Sequence, residues 1–291
     1  MASAGMKDIK RRIKSVKSTM QITKAMELVA SSKFRKARDK ADNAKVFFDA
    51  LYDTMWEITA ENTTFNSIYF SGREEKTVMF VVIAGDRGLA GGYNANVLKL
   101  AQQRINEVAE KSSVVIIPVG KKAVEYFTKR DYKVVAKYEN IAENIKINSA
   151  KQIGDKIMAA FKNGNVDRVE LVYTDYVSPL VQDAKIRSII PLEQNEEKTK
   201  TVKKMQSTYE PSPEALFDIL MPQYISGVLY GSISNSFASE QASRRTAMEN
   251  ASDNAEEMID NLSLQYNRAR QAMITQEITE IVSGSDAGQN E

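Results

Sequence analysis

Residues 6–71 contain neither glycine nor proline, and neither do residues 232–283. These are the two residue types that most readily interrupt a helix. Each end of the chain can therefore run as a single helix well beyond the about 8–20 residues usual in globular proteins. At about 1.5 Å per residue, a helix of ~55 residues is ~80 Å long. An element of that length projects past its domain, pairs with a partner, or sits inside another protein. The two ends also carry opposite fields. From Met6 to Lys45 there are 13 Lys/Arg against 4 Asp/Glu, a balance of +9. From Ser232 to Glu291 there are 4 against 10, a balance of −6, in a chain whose formal net charge is only +2. Opposite charge on two long helices predicts that they lie against each other, with Glu256, Glu257 and Asp260 facing the basic helix and a separate domain between them.

The apolar residues of both segments recur every three or four positions. The first reads Ile9, Ile13, Val16, Met20, then Ala30, Phe34, Ala37, Ala41, Ala44, Phe48, Leu51, Met55 and Ile58, a near-heptad seam. At Thr23 and Glu27 the apolar positions move to Ile22, Met26 and Val29. This shift reads as a stutter that turns the apolar face part-way round the axis. Alanines at 30–44 let two helix axes approach closely. The second segment reads Met248, Ala251, Ala255, Met258, Leu262, Ala269, Ala272 or Met273, Ile278 and Ile281. Upstream, Ser212 followed by Pro213 marks a helix start. Pro222 is expected to kink or break that helix, and Gly227 and Gly231 to loosen it. Periodicity alone fits a bundle core equally well; length is what argues for a projecting or enclosed pair.

The chain has no cysteine and no histidine. A disulfide framework, a thiolate nucleophile and a zinc–thiolate site are thereby excluded, and the commonest base near neutral pH is missing. No catalytic, cofactor-binding or metal-binding residue is assigned. No window approaches 18 apolar residues, so no transmembrane helix is expected. The basic run Lys7–Lys17 lacks interleaved aromatics and matches no nucleic-acid module. It reads as a solvated face or a seat for an acidic partner.

The middle of the chain alternates strands and helices. TVMFVVIA (77–84) is an apolar run suited to a strand buried on both faces. Helices are expected at 95–110, Lys121–Lys129 and Ser149–Lys162. Strands are expected at Val114–Val119, Val134–Lys137, Val166–Tyr173 and, at an edge ending before Pro191, Lys185–Ile190. This is an α/β layer with a mostly parallel sheet. Residues 193–204 are charged and read as a loop. The turn GDRGLAGGYN (85–94) lies between strand and helix, where a phosphate loop would sit. Its spacing is neither that of a dinucleotide fingerprint nor that of a P-loop. The plainer reading is a tight turn pressed against another surface, with nucleotide binding as the alternative.

Three stretches resemble the γ subunit of the rotary F-type ATP synthase: IKRRIKSVKSTMQITKAMELVASSKFRKA (9–37), DRGLAGGYN (86–94) and ASEQASRRTAMENASDNAEEMIDNLSLQYNRARQAMITQEITEIVSG (238–284). The likeness is collinear from about residue 3 to 286. It implies an α/β chain in which the terminal helices form a left-handed antiparallel coiled coil with a Rossmann-like α/β domain inserted between them. The divisions are 1–62, 63–210 and 211–291. It further implies a central rotor without chemistry or cofactor. Its coiled coil enters a hexamer of α and β subunits, and its base sits on the membrane c-ring beside the ε subunit. Small Ala and Ser side chains would suit a surface that slides in its bearing.

Position by position, Lys24, Met26 and Glu27 match the core that faces the β levers. Ala90 falls in the turn facing the lower rim of the hexamer, where many members have Cys. Tyr209 matches the face toward ε. Arg270, Gln271, Thr275 and Glu277 match the run met by the loops that catch the rotor, and Ile278, Ile281 and Val282 meet the apolar sleeve. There is no room near residue 200 for the dithiol insertion of chloroplast members. A start at Met1 with no transit peptide points to a bacterial protein on the cytoplasmic face of the inner membrane. A coiled-coil scaffold unrelated to rotation is the other reading of the helices.

Overall fold

The computed structural model of the chain describes residues 2–61, 67–70, 73–192, 210 and 212–288. In chain order the elements are α1 (Ala2–Glu61), β1 (Thr77–Ile83), α2 (Tyr93–Ala109), β2 (Ser113–Val119), α3 (Lys121–Thr128), α4 (Ile147–Lys162), β3 (Arg168–Tyr176), β4 (Gln182–Ile190) and α5 (Pro213–Gly288). They fall into two compact units, one of Met1–Val29 with Arg245–Glu291 and one of Ala30–Arg244.

The second unit is built on a sheet of order β2-β1-β3-β4. β1 pairs in parallel with β2 and β3, and β4 adds antiparallel at the edge. Side chains alternate across a strand. Val78, Phe80 and Val82 thus face α2 and α3, while Met79, Val81 and Ile83 face α4 and the sheet-proximal parts of α1 and α5. Cover on both faces is why β1 is apolar without alternation. The expected strand at Val134–Lys137 is reduced to isolated bridges, Ile116 with Val134 and Val119 with Tyr138. Val135 points to solvent, so this segment has little to bury. The charged stretch 193–204 lies outside the described residues.

Helix α5 opens as its sequence predicts, with the Ala215 amide donating to Ser212 Oγ at 3.2 Å. It then runs through Pro222 without a break, for 76 residues. Phe217, Met221, Ile225, Leu229, Ile233 and Phe237 are all buried and stand four residues apart. Each such step advances the buried stripe about 40° round the helix, so α5 shows a turning face to the sheet layer. Met221 and Ile225 flank Pro222, and their packing offsets the about 3 kcal/mol that a mid-helix proline costs. The Ser226 hydroxyl donates to the Pro222 carbonyl at 2.6 Å. Phe48 of α1 lies against Gly227 so closely that a Cβ there would stand 2.1 Å from its ring. Phe48 also meets Tyr230, and Tyr52 stacks on Tyr224. Numbering rises along α1 as it falls along α5, so the two run antiparallel.

In the first unit the α1 seam does not stutter. Ile9, Ile13, Val16 and Met20 are half-buried, and the same alternation of fours and threes continues to Thr23, buried, and Glu27, half-buried. Ile22 and Val29, expected to carry the seam, are exposed. Thr23 and Ser252 of α5 share a hydrogen bond of 2.7 Å between their hydroxyls, which lets two polar residues occupy core positions. The α5 seam is Met248, Ser252, Ala255, Ile259, Leu262, Tyr266, Ala269 and Met273. Met258 is exposed, and Ile259 takes its place. Glu256, Glu257 and Asp260 are exposed as well. They stand one or two positions after seam residues, and none of them makes an ion pair with α1 among the described residues. Among the described residues of this unit, the ion pairs lie within single helices: Asp8 with Arg11 and Arg12, Lys24 with Glu27, and Arg245 with Glu249. The seam packs the pair, and charge acts across it at longer range, since Asp253 and Glu249 of α5 add to the rise in the Lys24 pKa that begins with Glu27.

Two glycines on α5 are expected to respond in opposite senses. A Cβ on Gly231 meets nothing within 4 Å, so Gly231→Ala should stabilise the chain by about 0.5–1 kcal/mol through helix propensity. Gly227→Ala gains the same propensity but displaces Phe48, and should destabilise by about 1–3 kcal/mol. Thermal melts of the two variants test this; a Gly227→Ala variant as stable as wild type would show that Phe48 yields freely.

Candidate functional site

The glycine-rich turn joins β1 to α2 in the second unit, and its geometry is set by groups from four elements. Gly120, at φ 92°, has no room for a side chain, since a Cβ would stand 1.9 Å from the Ala84 carbonyl oxygen. This brings the ends of β1 and β2 together. Asp86 Oδ1 then accepts from the Lys121 and Asn140 amides, both at 2.9 Å. Asn94 Oδ1 accepts from the Gly85 amide at 2.8 Å, and its Nδ2 donates to the Arg87 carbonyl at 3.1 Å.

The crest of the turn is tied to α5. Arg244 Nη2 donates to the Gly88 carbonyl at 3.1 Å and pairs with Glu240 Oε1 at 2.6 Å. Both side chains are buried. Gly85 leaves room for this tie, since a Cβ there would stand 2.9 Å from Glu240 Cδ and displace that side chain. Burial pushes the Glu240 carboxyl above its ordinary pKa, against the opposing pull of Arg244. A phosphate seated in the turn would face that carboxylate. The turn is thus a joint between sheet and helix, in keeping with the plainer of its two sequence readings.

Ala90 is 2% exposed, so it offers no surface to a partner. The residue the turn presents is Leu89, 66% exposed and held at φ 59°. A left-handed leucine is uncommon, and the Gly88–Arg244 tie beside it helps to fix that conformation. Sequence reading favoured the position where relatives vary; only the backbone angles reveal which of the two neighbours turns outward.

The end of β3 is docked on α5 by small polar side chains. Ser236 Oγ accepts from the Thr174 amide at 3.1 Å, and Ser236 and Ser239 both donate to the Thr174 carbonyl at 3.3 Å. Asn235 Oδ1 accepts from the Tyr176 amide at 3.3 Å. These serines, together with Ser234, are buried. Their small size serves close approach of a strand, not the sliding surface expected for the small residues of the stalk. Beside them is an open cleft of about 510 Å³ lined by Phe48, Tyr52, Tyr173, Tyr176 and Tyr224. Of the charges lining it, Arg38 pairs with Asp42, Asp175 with Lys185, and Arg187 donates to the Tyr224 hydroxyl at 3.3 Å.

The other sequence-assigned contact residues lie on the first unit. Lys24 is exposed and stands 3.0 Å from Glu27, whose side chain is largely covered; this contact raises the lysine pKa. Met26 is half-buried beside them. Arg270, Gln271, Thr275, Glu277, Ile278, Ile281 and Val282 are all exposed. Apolar Ile278, Ile281 and Val282 therefore have no cover within the described chain. Ile22, Leu28 and Val29 on α1 are likewise exposed. Tyr209 lies outside the described residues.

One unit is thus a pair of terminal helices with uncovered apolar residues, and the other a small sheet domain whose turns are fastened to a long helix. The family model described as ATP synthase matches residues 5–287. The chain belongs to the ATP synthase gamma chain family. It is 53% identical over 283 residues to the ATP synthase gamma chain of Ruminococcus albus, covering 97% of this chain and 98% of that one. It is 44% identical over 297 residues to the sodium ion specific gamma chain of Acetobacterium woodii, covering 96% and 97%. Among solved structures, the central stalk/c-ring of Tetrahymena thermophila mitochondrial ATP synthase matches with a TM-score of 0.61 at 26% identity, over 79% of this chain and 99% of that one. The rotor of the Euglena gracilis mitochondrial enzyme shares the fold, with a TM-score of 0.65 at 19% identity over 94% and 99%.

The turn geometry is open to a direct check, because the chain has no cysteine of its own. In the folded protein a maleimide should label Leu89→Cys rapidly and Ala90→Cys far more slowly. Equal rates would mean that the turn is not held as described.

Proposed function

We infer that this chain is the central rotor stalk subunit of an ATP synthase, and that it couples ion-driven rotation of a membrane ring to conformational cycling of the catalytic subunits. The observation that carries the reading is the end-to-end match, 53% identity over 97% of the chain, to a gamma chain. The chain itself performs no chemistry and holds no cofactor. Its partners are the α and β subunits of the catalytic hexamer, the ε subunit and the c-ring. Residues 1–62 and 211–291 serve as the stalk helices, and 63–210 as the domain at its base. As a bacterial-type gamma chain it sits at the cytoplasmic face of the inner membrane, held there by the complex.

The geometry supports a division of labour along the chain. Exposed Ile278, Ile281 and Val282 suit an apolar sleeve around the end of α5. Arg270, Gln271, Thr275 and Glu277 supply hydrogen-bonding groups for loops that catch the rotor. Lys24, Met26 and Glu27 face the β levers, with Lys24 as the outward charge. Leu89, rather than Ala90, meets the lower rim of the hexamer. The tie from Gly88 to Arg244 passes force on that turn into α5, and Tyr209 completes the face toward ε.

Rotation is tested by tying the rotor to its stator. In the assembled complex, Leu89→Cys oxidised to a cysteine placed in the lower lever region of one β subunit should stop steady ATP hydrolysis, and reductant should restore it. A cross-link formed in high yield with hydrolysis continuing would refute the requirement for this chain to turn.

A further inference from the structure

β3 and β4 are joined by Val177, Ser178, Pro179, Leu180 and Val181, a turn without a charged residue. Val177, Leu180 and Val181 are exposed, Leu180 by 82%. Exposed turns are ordinarily polar. This one is nevertheless closely organised. The Val181 amide donates to the Ser178 hydroxyl at 3.1 Å, and Gln182 Nε2 donates to the Ser178 and Pro179 carbonyls, each at 3.0 Å. Ser243 of α5 donates to Gln182 Oε1 at 2.9 Å, and Tyr176 at the base packs on Phe34 with ring centroids 4.9 Å apart. The next residue of α5, Arg244, holds Gly88. Two turns from separate connections, each displaying a leucine, are thus fastened to consecutive residues of one helix.

We propose that the Val177–Val181 turn is a second protein-docking knob, and that its occupant is the same hexamer rim that Leu89 meets. This rests on the rotor reading above. An apolar knob held in one conformation loses little entropy on binding. Its three aliphatic side chains offer on the order of a few hundred Å², well short of the about 1,200–2,000 Å² of a stable interface between two free proteins. The knob therefore works as an added contact within an interface made elsewhere, which its fastening beside Leu89 supplies. Anionic lipid headgroups would find no Lys or Arg in residues 177–182 to engage.

A single thiol gives the test. Leu180→Cys, labelled with benzophenone maleimide and illuminated in the assembled complex, should yield a covalent adduct to an α or β subunit that the exposed Lys151→Cys control on α4 does not give. Ile281→Cys, labelled in the same way, reports on the rotor reading itself. An Ile281→Cys adduct to the hexamer without one from Leu180→Cys overturns the knob alone. An adduct from Leu180→Cys to a second copy or to lipid, or one matched by Lys151→Cys, overturns it too. If neither Leu180→Cys nor Ile281→Cys reaches the hexamer, the rotor reading falls and takes the knob with it.

Discussion

A 76-residue helix in water needs its apolar stripe covered along its whole length, because packing rather than propensity supplies most helix stability. Much of this structure answers that requirement on α5. Where the helix passes the sheet layer its buried residues recur every four positions, from Phe217 to Phe237. Beyond Arg244 they recur in fours and threes, from Met248 to Met273. The first period suits a helix packed on a changing set of neighbours, the second a helix paired with one other. Gly227, the serines at 234, 236 and 239, and the tolerance of Pro222 all belong to the first regime.

The element plan was largely legible in the sequence because its signals are local. The uninterrupted apolar run of β1, the Ser212 cap and the glycine-free termini each carry their meaning within a few residues. What escaped depends on distant partners. Thr23 and Glu27 look like a break in the seam when judged by hydrophobicity, and only the hydroxyl of Ser252, 229 positions away in sequence, makes Thr23 a core residue. Small residues on α5 read as a sliding surface until the end of β3 is seen resting on them. The residues singled out at 270–282 by family likeness are exposed. Ala90 and Leu89 were not separable, since backbone angle decides between neighbours.

The turn at 85–94 sits where many α/β proteins hold a phosphate, yet here a carboxylate from the chain's own long helix occupies the approach. Glu240 and Arg244 convert a ligand position into an internal joint. A site specialised for chemistry and a joint specialised for force use the same feature of the fold, the close approach that glycine permits at the end of a strand. In a rotor subunit that exchange is a sensible one: a push on the turn reaches the stretch of α5 that is fastened to it.

The hydroxyl pair of Thr23 and Ser252 has a mechanical corollary. The rest of the seam is mostly apolar, and an apolar heptad pattern repeats every seven residues, so two such helices shifted by a heptad would still set apolar side chains against one another. That displacement would set Thr23 against Ile259 and leave a buried hydroxyl unmatched, at about 1–3 kcal/mol. The pair acts as a key in a keyway: it adds little to the grip of the two helices, but it indexes them, so that a shaft under alternating load returns to the same tooth.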